Sequence, residues 1–377
     1  MGTVDDLKRN ATDQTGLTDF GDESFEAGLS VLVKSLEAEA KLNNRGAAFI
    51  FGRITGYLGQ RLQVEDWYRR HPEIDDETIT APLIGISLPR TGSTALSMLL
   101  AQDPRVRYLR RWESSQPCPP PSTVKGIDPR IPPDKGEQVG TRYHVPADTH
   151  GPMECHELMA LDFTSHLFQS FAQIPTYSRW LIENADLKTT LAYQKRVMKL
   201  LQWGEPMRPW RLKCPSHVLW LDAVDATFPD AVYVMTHRDP TDVILSVADL
   251  YADIIGTFTE AIDRPYIGRL NVEHWSLGMQ RALDFRANGN EERFYDIDFR
   301  AMQTDPIGEV TGLYGWLGVP VTEDFASRMR SWWTEAANDR EPSSHADPAA
   351  FGIDIDTVRP MFADYVEHAQ RWTTHTR

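Results

Sequence analysis

Apolar positions in the first seventy residues recur at helical spacing. After Asp22 and Ser24, both suited to capping, Phe25, Leu29, Leu32, Val33 and Leu36 form one stripe. A second helical stretch runs from about Ala47 to Trp67, interrupted by three glycines, and His71-Pro72 ends it because a residue before proline avoids helix. The pattern then changes. Leu83-Ile84-Gly85-Ile86-Ser87-Leu88 is apolar without alternation, as in a strand buried on both faces of a parallel sheet. A turn at Pro89–Thr94 follows, and then Leu96, Leu99 and Leu100 at helical spacing, so the chain opens a βαβ unit here.

Residues 114–152 hold nine prolines and few apolar clusters, and read as a long binding loop or lid. Helical periodicity returns over 153–203. Trp210-Arg211-Leu212-Lys213 reads as a second short strand, and Val218–Phe228 as a helix. Ala231–Thr236 is the clearest strand, from its β-branched and aromatic content. Pro240 and Asp242 suit the first turn of a helix reaching about Tyr251. Phe294-Tyr295-Asp296-Ile297 reads as a further strand, followed by a helix near Ile307–Leu317. Strands alternating with helices predict a parallel α/β sheet flanked by helices. The expected organisation is one α/β domain over 81–377, with residues 1–80 as a helical N-terminal extension packed on it.

Composition narrows the function classes. The 39 basic and 54 acidic residues give a net charge of −15, which argues against a general nucleic-acid binder. Cys118, Cys155 and Cys214 are odd in number and lack zinc-finger spacing, so neither a disulfide framework nor a zinc site is expected. No apolar run has the length of a membrane span, and the first residues lack a signal-peptide pattern, so a cytoplasmic protein is expected.

The turn at 87–94 carries the first chemical signal. A nucleotide phosphate loop reads G-x-x-x-x-G-K-[ST]. Here Ser87 stands at the first glycine and Ser93 at the lysine, while Gly92 and Thr94 fit and a cation, Arg90, lies inside the loop. Amides at the start of a helix still cradle an oxyanion. The missing lysine, which reaches the β- and γ-phosphates in ATP and GTP enzymes, suits a phosphate-like group with no γ-phosphate to transfer. The competing reading is an ordinary strand-to-helix turn. The second signal is Arg238, at a strand end, with Ser246 eight residues on along the next helix. A guanidinium and a hydroxyl so placed can share one phosphate. Salt bridges from Arg238 to Asp239 or Asp242 are the alternative.

These two segments, in this order, resemble the sulfotransferase family that uses 3′-phosphoadenosine 5′-phosphosulfate (PAPS). Leu88–Thr94 is similar to its 5′-phosphosulfate loop, with Arg90, Thr91, Gly92, Ser93 and Thr94 as implied cofactor contacts. Val234–Ser246 is similar to its 3′-phosphate motif. Phe294–Asp298 with Tyr314–Gly318 resembles a third segment, which implies Tyr295 near the adenine. Asp19–Asp22 and Leu212–His217 resemble a large bacterial branch frequent in actinobacteria. The family's C-terminal Arg-Lys-Gly run has no counterpart, and Arg340 or His345 is a possible substitute. Its Lys-x-His pair is also altered: Lys213 matches the lysine, but Pro215 occupies the place of the histidine and His217 lies two residues on.

The resemblance implies transfer of a sulfuryl group from PAPS to a hydroxyl, with Arg90 and Lys213 as cations for the leaving phosphate and no metal. A small or lipid-like alcohol is the expected acceptor. For the base, Glu113 is the first candidate and His217 the second; a surface pair of Glu113 with Arg110 or Arg111 is the alternative. His150, Glu154, His156 and Glu157 fit no standard metal spacing and read as acceptor lining or surface. Trp112, Phe163, Phe168 and Phe171 read as core, some of them able to line an apolar acceptor pocket. The rival functions are a P-loop kinase or NTPase and a non-catalytic nucleotide-binding protein.

Overall fold

The computed structural model describes residues 2–131, 150–337 and 346–375. Four parallel strands form the sheet: β1 Leu83–Ser87, β2 Arg211–Lys213, β3 Val232–His237 and β4 Phe294–Asp298, in the order β2-β1-β3-β4. All five residues of β1 are buried. The reason is two-sided packing. Leu83 and Val234 belong to one apolar core, with Leu96, Tyr314 and Phe325, while Ile84, Ile86, Tyr233 and Met235 belong to a larger one on the opposite face. The apolar run without alternation therefore marks a central strand.

The N-terminal helices α1 Val4–Thr15, α2 Ser24–Ala38 and α3 Asn44–Arg70 join the larger core. The stripe on α2 is buried as its spacing predicts. Helix α3 starts three residues before Ala47, because Asn43 caps it by accepting from the Gly46 amide at 2.8 Å. A Cβ on Gly46 would come within 2.3 Å of the Phe258 carbonyl, so this turn can approach the distant segment at Phe258 only as glycine.

Two helical expectations change. The stretch 153–203 is broken into short pieces, among them His156–Met159 and Phe168–Phe171, before the regular helices Pro175–Glu183 and Leu187–Gln202. Phe163, at φ +52°, and Pro175 interrupt it. A 22-residue helix, Arg264–Phe285, goes unread in the sequence. Asn271 and His274 sit on its buried face, so the apolar period is broken where it faces the core. The proline-rich loop is described only to Ile131 and from His150 onward; its middle lies outside the described residues, as do Arg340 and His345.

Register sets the functional edge. Gly85 pairs with Lys213, Ser87 with Thr236 and His237 with Asp298, so all four strands end on one side of the sheet. Ligands of open α/β sheets bind outside the carboxyl ends of the strands. Among the described residues, no helix is long and apolar enough to cross a membrane.

Candidate active site

The loop after β1 is shaped by two residues in the left-handed region, Arg90 at φ +63° and Gly92 at φ +89°. Gly92 is the N-cap of the helix α4, Ser93–Leu100, and no side chain caps its amides. Phe299 closes the loop from outside, since a Cβ on Gly92 would lie 3.3 Å from its ring. The Thr91 hydroxyl faces inward. It bonds the Leu88 carbonyl at 2.8 Å and Thr236 Oγ1 at 2.7 Å, fastening the loop to β3. What Thr91 offers a ligand is therefore its backbone, not its hydroxyl.

The second motif touches the first. Arg238 Nη1 donates to the Arg90 carbonyl at 3.1 Å, and Arg90 Nε donates to Ser246 Oγ at 3.2 Å. Arg238 lies over the Phe299 ring, 4.7 Å from its centre. The alternative partners of Arg238 are weak. Asp242 is exposed and 3.8 Å away, and Asp239 is engaged in capping Thr241. Residues 156 positions apart thus meet in one cationic corner beside the loop. Sequence reasoning misses Phe299, because a lone phenylalanine after a strand reads as core.

Lys213 reaches the same loop from β2. Its Nζ donates to Thr94 Oγ1 at 3.3 Å and forms a short ion pair with Glu154. The other Glu154 oxygen meets His156 Nδ1 at 2.9 Å, and His156 Nε2 meets Ser216 Oγ at 2.7 Å. Burial opposes charge on Glu154, but Lys213 and then His156 outweigh it and hold the carboxyl well below the usual range. Glu154 and His156 thus lie together beside Lys213, but Glu157 does not join them. It points the other way, to Arg53 Nη2 at 2.6 Å and Tyr57 Oη at 2.7 Å. Among the described residues no group of metal-ligating side chains assembles.

His217 is buried one turn beyond Lys213, and its Nδ1 has no hydrogen-bond partner among the described residues. Burial, and then the positive His156, push its pKa down to about 3, so its ring is neutral. Tyr295 lies inside the smaller core, its ring centre 5.7 Å from that of Trp316. Phe163 and Phe168 stack in the larger core. Phe171 packs on Phe49 and Phe258, and Trp112 is buried with Arg130 over its ring.

Glu113 has a different surrounding from the one its position suggests. It is fully buried, and its oxygens accept from Arg107 Nη1 at 2.9 Å and Nη2 at 2.7 Å. They also accept from the Arg110 amide at 3.1 Å, which caps the short helix Arg111–Ser115. The partners are Arg107, six residues back, and also Arg110, whose Nη1 donates to Glu113 Oε1 at 3.3 Å, so the pair with Arg110 is present but the carboxylate is buried and not at the surface. With four donors on it, this carboxylate has a structural task. Glu113→Ala is expected to destabilise the fold by about 3–5 kcal/mol, because Arg107 is left buried and unpaired. Urea unfolding measures this. A Glu113→Gln protein of normal stability without turnover would return the base role to Glu113.

Comparison with known proteins agrees with this geometry. Residues 82–324 match the model of a family described as the sulfotransferase family. The crystal structure of sulfotransferase STF9 from Mycobacterium avium superposes with a TM-score of 0.88 at 30% identity, covering 98% of this chain and 97% of that one. Sulfotransferase STF1 from Mycobacterium tuberculosis H37Rv gives 0.82 at 27% identity, with 96% and 99% covered. No curated protein matches the chain. A family match across the whole sheet, together with near-complete structural overlap, identifies the chain as a member of the sulfotransferase family.

Proposed function

We propose that the protein transfers a sulfuryl group from PAPS to the hydroxyl of a small or lipid-like acceptor. The observation that carries this reading is Lys213, shared between Thr94 at the phosphate loop and Glu154 across the site. One cation so placed joins a donor side to an acceptor side. The uncapped amides of α4, with Ser93 and Thr94, suit the 5′-phosphosulfate. Arg238, Arg90 and Ser246 suit the 3′-phosphate, and Phe299 supplies aromatic surface for the nucleoside, whereas Tyr295, expected beside the adenine, is buried in the smaller core. The position of the Walker lysine is Ser93, so the cation comes from β2, which separates this site from that of a P-loop kinase.

In the reaction, the acceptor oxygen bonds to sulfur as the bond from sulfur to the phosphate oxygen breaks. Negative charge grows on that phosphate oxygen, where Lys213 stabilises it. The acceptor hydroxyl becomes acidic as its bond to sulfur forms, and Glu154 takes the proton. As Lys213 turns from Glu154 to the leaving oxygen, the carboxylate loses a cation and gains basicity at the step that needs it. Glu113 is thereby replaced as the base by Glu154, and neutral His217 is left to contact the acceptor.

Turnover of PAPS with a panel of phenols and aliphatic alcohols tests the activity, and no sulfated product from any of them would leave the non-catalytic reading. Adenosine 3′,5′-diphosphate is expected to raise the melting temperature more than 5′-AMP does. In Arg238→Ala that difference should disappear, with binding weakened by about 2–5 kcal/mol. Equal shifts from the two nucleotides in the unaltered protein would remove the 3′-phosphate assignment.

A further inference from the structure

The segment that carries Glu154 is fastened to the end of β2 with unusual completeness. Met153 N donates to the Leu109 carbonyl at 2.8 Å, and Cys155 N donates to the Lys213 carbonyl at 3.2 Å. The peptide oxygen of His156 accepts from Ser165 Oγ at 2.8 Å. The imidazole is then caught at both nitrogens, by Glu154 Oε2 at 2.9 Å and Ser216 Oγ at 2.7 Å. Ser216 in turn lies 3.4 Å from Cys214 Sγ. An imidazole held at two nitrogens cannot rotate without breaking one bond. Glu154 therefore keeps one oxygen on His156 while the other is free to exchange Lys213 for an acceptor hydroxyl.

We infer that His156, anchored by Ser216, is a positioning residue that orients Glu154 and keeps it ionised when Lys213 turns to the leaving group. This rests on the reading of Glu154 as the base. Burial opposes charge on His156, but Cys214 and Glu154 outweigh it and raise its pKa to about 10, so at neutral pH both ring nitrogens donate. Among the described residues, the other groups facing the pair add no second cation. His166 and His217 are neutral through burial. Burial also pushes the Cys155 thiol and the Tyr251 phenol up. Among the described residues, Lys213 carries the other positive charge at the pair. The arrangement gives Glu154 two cations before donor binding and one during transfer.

The sign follows from this. Removing the imidazolium raises the Glu154 pKa, so the acidic limb of the kcat profile moves to higher pH. In His156→Ala the expected move is about one to three pH units, the usual effect of one adjacent opposite charge. The acceptor KM and the affinity for adenosine 3′,5′-diphosphate should stay near the unaltered values, a split that a merely structural role would not produce. His156→Asn places an amide near the Nδ1 position, keeps a donor to Glu154 without the charge, and should move the limb less. Ser216→Ala loosens the ring and should move it in the same direction. The experiment is the pH dependence of PAPS turnover from about pH 3 to 9 on the full chain, with nucleotide binding read by thermal shift. Should His156→Ala not fold, His156→Asn and Ser216→Ala carry the same test. A limb unmoved in folded, nucleotide-binding variants overturns the proposal. Glu154→Gln separates the two ideas: retained turnover removes the base reading and this inference with it, whereas lost turnover beside an unmoved His156 limb removes this inference alone.

Discussion

Lys213→Met is expected to lower turnover on the order of 10²–10³-fold, the typical worth of one group aimed at developing oxyanion charge. Methionine keeps the length and apolar stem of the side chain, so β2 and its pairing with Gly85 should persist. Two effects combine in this variant. The leaving phosphate oxygen loses its cation, which lowers kcat at every pH. Glu154 also loses its nearest cation, so its pKa rises and the acidic limb moves to higher pH. The rate therefore stays low above the limb, and raising the pH does not restore it. Affinity for adenosine 3′,5′-diphosphate should fall less than turnover, because Arg238, Arg90 and Ser246 form their own cluster for the 3′-phosphate while only the 5′-phosphate loses a cation. Steady-state kinetics across pH, with nucleotide binding alongside, checks each part. More than about a tenth of normal turnover in Lys213→Met would place the leaving-group cation elsewhere, with Arg90 the next candidate.

The loop after β1 and its contact with Arg238 and Ser246, the proposed donor side, arise from signals that are local. A strand, a turn with Gly92 and Thr94, and a helix follow one another within twenty residues. Arg238 and Ser246 repeat that economy after β3. Buried on both faces, β1 and β3 show as uniform apolar runs. Lys213 was legible through its place in the run Leu212–His217. The acceptor side was not, because there the meaning of a residue depends on which way a short turn faces. Glu113 lies close to the loop in sequence, yet its carboxylate is drawn back to Arg107 and the Arg110 amide. Glu154, His156 and Glu157 read in one dimension as a single group of acceptor-lining or surface residues. In three, Glu154 and His156 turn toward β2 while Glu157 turns toward α3. Neither direction has a periodic signature, since the helix His156–Met159 is a single turn. The helix Arg264–Phe285 escaped for a related reason, the polar residues on its buried face.

Glu154→Gln should lower turnover by about 10²–10⁴-fold, the usual contribution of a positioned general base. Glutamine keeps the size of the side chain, and its one oxygen still accepts from Lys213 or His156, while its NH2 faces the other donor. What it lacks is a lone pair basic enough to take the acceptor proton. The acidic limb that protonation of Glu154 produces should then vanish, leaving a low rate that is flat on the acid side. The sign is that of a depressed carboxyl: the active form exists above its pKa and is lost as pH falls through it. Nucleotide affinity should be nearly unchanged, since Thr94 and Lys213 stand between Glu154 and the phosphate loop. His217→Ala and Glu113→Gln are the controls. His217 is buried, neutral and has no partner on Nδ1 among the described residues, so its loss should act mainly on acceptor KM. Glu113→Gln should cost stability more than rate, because its partners are structural arginines. If Glu154→Gln keeps more than about a tenth of turnover while His217→Ala abolishes it, the proton goes to His217, and Glu154 serves only to store Lys213 until the donor arrives.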